Sequence, residues 1–183
     1  MIVLSIDVGL KCSGYIVGKV DNLKINLLKE NEIKPRVDKS LAQKLKLIYD
    51  NLEKEIISYR PQAVIVERLY SHHKHPTTLG VLSHVRGIVL LLAEQYRINI
   101  YEFSPNRARK SFLGRGNVNS VQVKKMAENV TGKKFKSVHT ADAFSLIAAF
   151  THDQKVKNLL PKESKDIVSK PDIQALLKKI KIK

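Results

Sequence analysis

Short apolar runs along the chain predict the strands of one sheet. The runs are nearly continuous rather than alternating, which is typical of buried strands. Gly9 and Gly14 mark a turn after the first run, and the pair Asp21-Asn22 marks a tight turn after the second. The first three runs are therefore expected to pair as an antiparallel meander. The predicted strands are Ile2–Ile6, Tyr15–Val20, Leu23–Lys29, Ala63–Val66 and Asn99–Phe103.

Apolar residues at three- and four-residue spacing predict helices between and after the later strands. The middle of one of them, Ile88–Ala93, is apolar all round. Such a helix must be buried on more than one side, with one side on the sheet and the other available to a second subunit. The predicted helices are Ser40–Tyr59, Thr77–Tyr96, one starting at Ser104-Pro105, Ser120–Val130 and Val138–His152.

The length and the end of the chain predict one domain with an appendage. A chain of 183 residues is the size of a single domain, here expected over residues 1–152. Residues 153–183 are polar and Lys-rich and are expected to form a basic tail, with a short helix over Asp172–Ile180. No apolar run of membrane-spanning length and no signal peptide is recognised. The single cysteine, Cys12, fits a reducing compartment.

The charge predicts a polyanionic partner. The formal net charge is +16, and Lys and Arg release condensed counterions when they neutralise phosphates. The charge is concentrated in Ser104–Lys136, which has nine basic residues and one acid, Glu128, around the flexible pair Gly114 and Gly116. A basic surface for lipid or for solubility is the alternative, but no basic amphipathic helix with exposed aromatic residues supports it.

Three acids and one histidine stand at the ends of buried elements. Asp7 and Glu67 end separate strands, and His139 and Asp142 share one face of a helix near its first turn. Ligands of open α/β sheets gather outside the carboxyl ends of the strands. Carboxylates that converge there repel one another unless divalent cations neutralise them. The set predicts a metal site for phosphoryl displacement, and separate ion pairs with Arg or Lys are the alternative.

Asp7, Gly9 and Gly14 form the pattern D-x-G-x-x-x-x-G, which has two interpretations. It marks a catalytic metal strand in RNase H-like nucleases and a phosphate loop in actin-like ATPases. The ATPases need two lobes and a second phosphate loop, and 183 residues leave room for one lobe. The pattern therefore favours the nuclease.

Six segments in order resemble the RuvC family of Holliday-junction resolvases, from Ile2 to about His152. They are IDVGLKCSGY, VIVERLY, PTTLGVLSHVRGI, RKSFLGRG, VQVKKMA and HTADAFSLIAAFTH. The resemblance implies an α/β, RNase H-like fold. Its mixed five-stranded sheet has three antiparallel strands followed by parallel strands, and helices flank the sheet.

The resemblance also implies the composition of the catalytic site. The metal ligands of the family fall on Asp7, Glu67, His139 and Asp142, and the site holds two Mg²⁺ ions, for which Mn²⁺ can substitute. Asp7 would bridge both ions, and Glu67 and Asp142 would hold one each. A ligating His139 must be neutral, so activity is expected to fall below about pH 6.5.

Residues that contact DNA are implied as well. In the family an aromatic residue shortly after the second carboxylate stacks on unpaired bases, and Tyr70 fills that place. Tyr70 replaces the usual Phe, and Ser120 replaces a basic residue, which predicts broader specificity of the kind found in versions carried by phages and mobile elements. The remaining predicted DNA contacts are His72, His73, Lys74, Arg107, Arg109, Lys110, Arg115, Lys124 and Lys125.

The family further implies a homodimer with the helix after Glu67 at or near the two-fold axis. The predicted interface residues step along that helix at heptad-like spacing. They are Leu82, Val85, Val89 and Leu92. Two active sites of opposed polarity suit symmetric cleavage of a four-way junction.

The sequence thus predicts a Mg²⁺-dependent endonuclease of recombination and repair. It would resolve Holliday junctions by paired nicks that leave 5′-phosphate and 3′-hydroxyl ends. Its partners would be branched DNA and a second copy of the chain, with no membrane. It would act in the cytoplasm of a bacterium, or of a host cell if phage-encoded. A nuclease for forks, flaps and three-way junctions, a related enzyme that cuts RNA, and a non-catalytic junction-binding protein stay open, as does coupling to a branch-migration motor.

Overall fold

A computed structural model of the chain describes residues 1–21, 24–69 and 76–159. Four predicted DNA contacts, Tyr70, His72, His73 and Lys74, lie outside these residues. The greater part of the predicted tail, residues 160–183, and its predicted helix lie outside them as well.

The structure contains the predicted mixed sheet. The strands are β1 (Ile2–Asp7), β2 (Ser13–Asp21), β3 (Lys24–Ile33), β4 (Ala63–Glu67) and β5 (Asn99–Phe103). Their order is β3-β2-β1-β4-β5. The first three strands are antiparallel, whereas β4 runs parallel to β1 and β5 runs parallel to β4. β3 continues past its predicted end at Lys29 because it stays paired with β2 beyond a bulge at Val17/Gly18.

Five helices flank the sheet in the described part of the chain. They are α1 (Leu41–Tyr59), α2 (Pro76–Gln95), α3 (Pro105–Leu113), α4 (Ser120–Thr131) and α5 (Val138–Leu159). Side-chain caps begin three of them, from Ser40, Ser104 and Asn119. α5 passes its predicted end at His152 and continues to Leu159. In this extension Asp153 forms an ion pair with Arg107 of α3.

Alternation along β1 and β4 divides the core into two layers. Leu4 and Val66 pack into the cluster that includes α1 and α2. Val3 and Ile65 pack into the cluster that includes α3, α4 and α5. Because successive strand residues point to opposite faces, Asp7 and Glu67 belong to the face that α5 covers.

α2 lies on the face of the sheet opposite to α5. Its packing there contradicts the predicted dimer interface. Val85, Val89 and Leu92 are at most 1% exposed and pack into the core of their own chain. Leu82 lines a cavity beside α2. Val85, Val89 and Leu92 therefore lie on the sheet-facing side of the helix and are buried without a partner, whereas Leu82 is half-buried.

The opposite side of α2 is the exposed one. Gly80, Gly87 and Leu91 follow one another at steps of seven and four, and Leu91 is 58% exposed. Thr77–Gln95 is long and apolar enough to cross a membrane by length and composition, with 22% of that window buried within the chain. The core contacts of α2 account for one side of this apolar helix and leave the other uncovered.

Candidate active site

The carboxyl ends of β1 and β4 bring two acids to one edge of the sheet. Ile6 pairs with Val66 in parallel register, so the next residues, Asp7 and Glu67, are neighbours at the strand ends. Ser5, two residues before Asp7, donates from its hydroxyl to the Ala143 carbonyl of α5 at 2.7 Å. This hydrogen bond ties β1 to α5 beneath the two acids.

The first turns of α5 carry the other two predicted residues. Nδ1 of His139 lies 2.8 Å from Oδ2 of Asp7. The Asp7 side chain is 15% exposed and that of His139 is 43% exposed, so the histidine stands between the acid and solvent. The N-terminus of α5, which is the positive end of the helix dipole, also favours negative charge on Asp7.

Asp142 faces a basic side chain from α3. Nη2 of Arg109 lies 3.4 Å from Oδ1 of Asp142, at the long end of the range for an ion pair. The same guanidinium donates to the Val118 carbonyl at 2.9 Å and to the Ser120 hydroxyl at 3.0 Å. Arg109 was predicted to contact DNA, but these contacts hold it within the protein beside the acids.

Electrostatics joins the three acids into one site. The pKa of Glu67 is raised to about 8, chiefly by burial and then by the negative charges of Asp7 and Asp142, while Arg109 opposes the shift. The pKa of Asp7 is also raised, because burial outweighs its hydrogen bond with His139. The hydrogen bond to Asp7 raises the pKa of His139.

The donor chemistry fits a hard divalent cation. Asp7, Glu67 and Asp142 offer carboxylate oxygens, which Mg²⁺ and Mn²⁺ prefer, and His139 offers a ring nitrogen. Over residues 1–21, 24–69 and 76–159, no three His, Cys, Asp or Glu side chains form a compact metal-binding group. Instead, Asp7 is paired with His139, and Asp142 is paired with Arg109.

A cavity of about 650 Å³ opens beside His139. The loop after β1 forms one wall, and the first turns of α2 form the other. Its lining residues are Val8, Gly9, Leu10, Lys11, Cys12, Thr77, Thr78, Val81, Leu82 and His139. The cavity therefore adjoins the acidic site at His139.

The remaining predicted DNA contacts fall into two groups. Arg107 is held by Asp153, to whose carboxylate it donates at 2.7 and 2.8 Å, and it also lies over the Phe103 ring. Lys110, Arg115 and Lys125 are exposed, and Lys124 is half-buried. Arg107 is also exposed but is paired with Asp153 at the surface, whereas Arg109 is partly buried and has its partners inside the protein.

Sequence reasoning missed two residues that support the site. Gly14 was interpreted as part of a turn, but it lies in β2, paired with Asp7. Glu30 lies in the extension of β3 that was not predicted, and it accepts a hydrogen bond from the Thr140 hydroxyl of α5. The glycine pattern was the available signal for Gly14, and nothing local marks Glu30.

Comparison with known proteins decides the family. The family model described as crossover junction endodeoxyribonuclease RuvC matches residues 3–152. The chain belongs to the RuvC family. A relative of that name from Alkaliphilus metalliredigens is 30% identical over 161 residues, covering 87% of this chain and 98% of the relative. Another, from Ruminiclostridium cellulolyticum, is 32% identical over 130 residues, covering 71% and 78%.

Solved structures of RuvC proteins share the fold. The structure of Thermus thermophilus RuvC has a TM-score of 0.73 at 21% identity, covering 84% of this chain and 96% of its own. The T. thermophilus RuvC in complex with a Holliday junction substrate has a TM-score of 0.77 at 23% identity, covering 85% and 96%. The RuvC resemblance and the RNase H-like α/β fold predicted from the sequence are confirmed. The name of the family states the predicted activity, cleavage of DNA at crossover junctions.

Proposed function

We propose that this RuvC-family chain is a metal-dependent endonuclease that resolves Holliday junctions. The observation that carries the proposal is the meeting of three acids from three elements at one sheet edge. Asp7 and Glu67 end adjacent parallel strands, and Asp142 follows His139 on the helix above them. The raised pKa of Glu67 reflects the charges of the other two acids as well as burial.

Mg²⁺ is the proposed cofactor, with Mn²⁺ as a substitute, and Asp7, Glu67, Asp142 and His139 would hold it. When bound, divalent cations supply Lewis acidity at the phosphate and a bound water of lowered pKa. The three acids offer the oxygen ligands and the negative charge that such a cation needs.

The chain's own residues set the protons and charges of the site. Glu67, with a pKa of about 8, holds a proton at neutral pH until its carboxylate gains a positive partner. His139 holds Asp7 in place, and Arg109 balances Asp142. Arg109 also donates to the Val118 carbonyl and the Ser120 hydroxyl, and these hydrogen bonds keep its charge beside the acids.

Branched DNA is the proposed substrate, chiefly the four-way junction. The T. thermophilus relative of similar fold is seen with a Holliday junction substrate. In this chain, Lys110 of α3, Lys125 of α4 and Arg115 between these helices are exposed basic residues. Their charge suits the phosphate backbone, which dominates the affinity of proteins for DNA.

A homodimer is proposed through the uncovered side of α2 rather than the predicted interface. Gly80 and Gly87 are exposed and have no neighbouring atoms within 4 Å of the position of a Cβ. Small residues allow the backbone of a second helix to approach closely, and Leu91 adds exposed apolar surface beside them. Two copies would present two sites to the two strands that must be cut.

The test is cleavage of a labelled four-way junction by wild type and by Asp7→Asn. The substitution keeps the size of the side chain and removes its charge, so cleavage with Mg²⁺ is expected to fall by at least about a thousandfold. Junction binding without metal is expected to stay within about twofold, because binding depends on the basic surface. Asp21→Asn, at the exposed end of β2, is the matched control and is expected to cleave normally. Equal cleavage by Asp7→Asn and wild type would contradict the proposal.

A further inference from the structure

Strand β2, which lies between β3 and β1, touches the start of α5 through a glycine. Gly14 pairs with Asp7 across the sheet and faces α5. A Cβ at this position would lie 2.5 Å from the backbone nitrogen of Thr140, a separation that real Cβ atoms essentially never show. The absence of a side chain therefore lets the peptide between His139 and Thr140 rest directly on the strand.

The outer strand β3 holds the same turn by a hydrogen-bonded acid. Oε1 of Glu30 accepts from the Thr140 hydroxyl at 2.5 Å and from the Lys136 backbone N–H at 2.6 Å. Thr140 is fully buried, so its hydroxyl needs such a partner. Glu30 faces the same side as Ile16, its partner in β2, which packs in the core under α5.

We propose that Gly14 and Glu30 are positioning residues for the catalytic turn of α5. Gly14 sets the distance of the turn from the sheet, and Glu30 fixes its position along β3. Both contacts act on Thr140, which lies between His139 and Asp142 in sequence. The pair thereby determines where the His139 ring meets Asp7 and where Asp142 stands relative to Glu67. This inference rests on the proposed function of those side chains.

Gly18 provides a matched comparison on the same strand and under the same helix. A Cβ on Gly18 would lie 3.3 Å from Cδ1 of Ile147, the end of a flexible side chain. The Ile147 side chain can shift by a few tenths of an ångström, whereas the backbone above Gly14 cannot move without carrying α5 with it. A methyl group at position 18 therefore disturbs only side-chain packing, whereas the same group at position 14 displaces the turn of α5.

The first test compares Gly14→Ala with Gly18→Ala in the full chain. Misplacement of catalytic groups by about 1 Å can cost about 100-fold, so Gly14→Ala is expected to lose about that much of kcat. Its KM and its metal-free junction binding are expected to stay close to wild type. Gly18→Ala is expected to keep kcat within about threefold, because only a flexible side chain must adjust. Equal kcat values for the two variants would overturn the proposal.

The second test uses Glu30 and Thr140, which covers the case in which Gly14→Ala does not fold. Glu30→Ala and Thr140→Val each remove a partner of the hydrogen bond and are expected to lower kcat about tenfold. Thr140→Ser keeps the hydroxyl and is expected to restore kcat. Failure of Thr140→Ser to recover more activity than Thr140→Val would overturn the proposal.

A readout without catalysis separates this inference from the proposed function. Amide hydrogen exchange across residues 136–146 in metal-free protein is expected to speed up in Gly14→Ala and Glu30→Ala but not in Gly18→Ala. If wild type cleaves no junction while these differences appear, the proposed function fails and the positioning contacts stand. Unchanged exchange in both variants would overturn the positioning role even where cleavage is lost.

Discussion

Glu67 is the residue whose environment says most about the site. Its carboxyl group is partly buried at the end of β4 beside two other acids, and its pKa is raised to about 8. Without a cation, the folded protein holds a proton there that the unfolded chain releases near pH 4.5, the ordinary value. The folded state binds more protons than the unfolded state between these values, so this group lowers stability as pH rises through that range.

Glu67→Gln is therefore expected to stabilise the metal-free protein at pH 8 and to change its stability little at pH 4.5. At about 1.4 kcal/mol for each pKa unit, a gain of about 3 kcal/mol at pH 8 is expected after allowance for partial solvent access. Urea unfolding of wild type and variant from pH 4.5 to 8.5 measures the difference. The exposed Glu94→Gln is the control, and a Glu67→Gln gain that does not depend on pH would contradict this account of the site.

The site is also expected to bind its cation more tightly as pH rises. Burial and the other acids raise the pKa of Glu67, and its proton must leave when the carboxylate becomes a ligand. His139, whose pKa is raised by its hydrogen bond to Asp7, must lose a proton to ligate. The Mn²⁺ concentration for half-maximal cleavage is expected to fall between pH 6.5 and 8.5, by about tenfold for each proton displaced and each pH unit. A half-maximal Mn²⁺ concentration that does not change with pH would contradict the proposed coupling of cation binding to proton release.

Arg109 is partly buried, whereas its neighbour Lys110 is exposed, so substitutions of the two can be compared. Arg109→Ala removes the hydrogen bonds to Val118 and Ser120 and is expected to cost about 1–3 kcal/mol of stability. Lys110→Ala, on the exposed side of α3, is expected to change stability by less than about 0.5 kcal/mol. For Lys110→Ala the slope of log K for DNA binding against log salt is expected to become shallower by about 0.9 if one phosphate contact is lost.

Thermal unfolding and DNA binding from low to high salt measure both variants. A larger loss of stability in Lys110→Ala than in Arg109→Ala would contradict the assignment of the internal contacts.

At the scale of elements, the strands were predictable and the orientation of α2 was not. Continuous apolar runs such as Ile2–Ile6 leave little choice but a buried strand, and the acids that follow Ile2–Ile6 and Ala63–Val66 mark the functional edge. α2 is apolar all round, so periodicity alone could not tell its sheet-facing side from its exposed side. Val85 and Val89 were therefore assigned to the wrong surface. The contact between Glu30 and Thr140 joins residues 110 apart, which no local pattern encodes.

Leu91→Asp tests the outer side of α2. The side chain is 58% exposed in the single chain, so the charge is expected to leave the fold intact and to convert the proposed dimer into monomers. Sedimentation equilibrium with thermal unfolding measures both properties. Leu47→Asp, at an exposed leucine of α1, is the matched control and is expected to remain dimeric. A monomeric wild type, or an unchanged dimer of Leu91→Asp, would contradict this interface.

For the whole molecule, a basic chain surrounds an acidic edge. The net charge of +16 attracts the phosphate backbone, while Asp7, Glu67 and Asp142 need a cation before a phosphate can approach. The sequence predicted this division from composition and strand ends. It could not reveal that Arg109 is drawn into the site, because that contact depends on how the segment between α3 and α4 folds against α5.

The most direct measurement is cleavage of four-way, three-way, forked and linear DNA side by side, with mapped cut positions, in Mg²⁺ and in EDTA. The account predicts paired nicks at the crossover of the four-way junction, dependent on Mg²⁺ and leaving 5′-phosphate and 3′-hydroxyl ends. Similar rates on forks and three-way junctions would instead identify a nuclease for branched DNA in general. Binding of the four-way junction without any nick in Mg²⁺ or Mn²⁺, or nicks that persist in EDTA, would contradict the proposed metal-dependent resolvase.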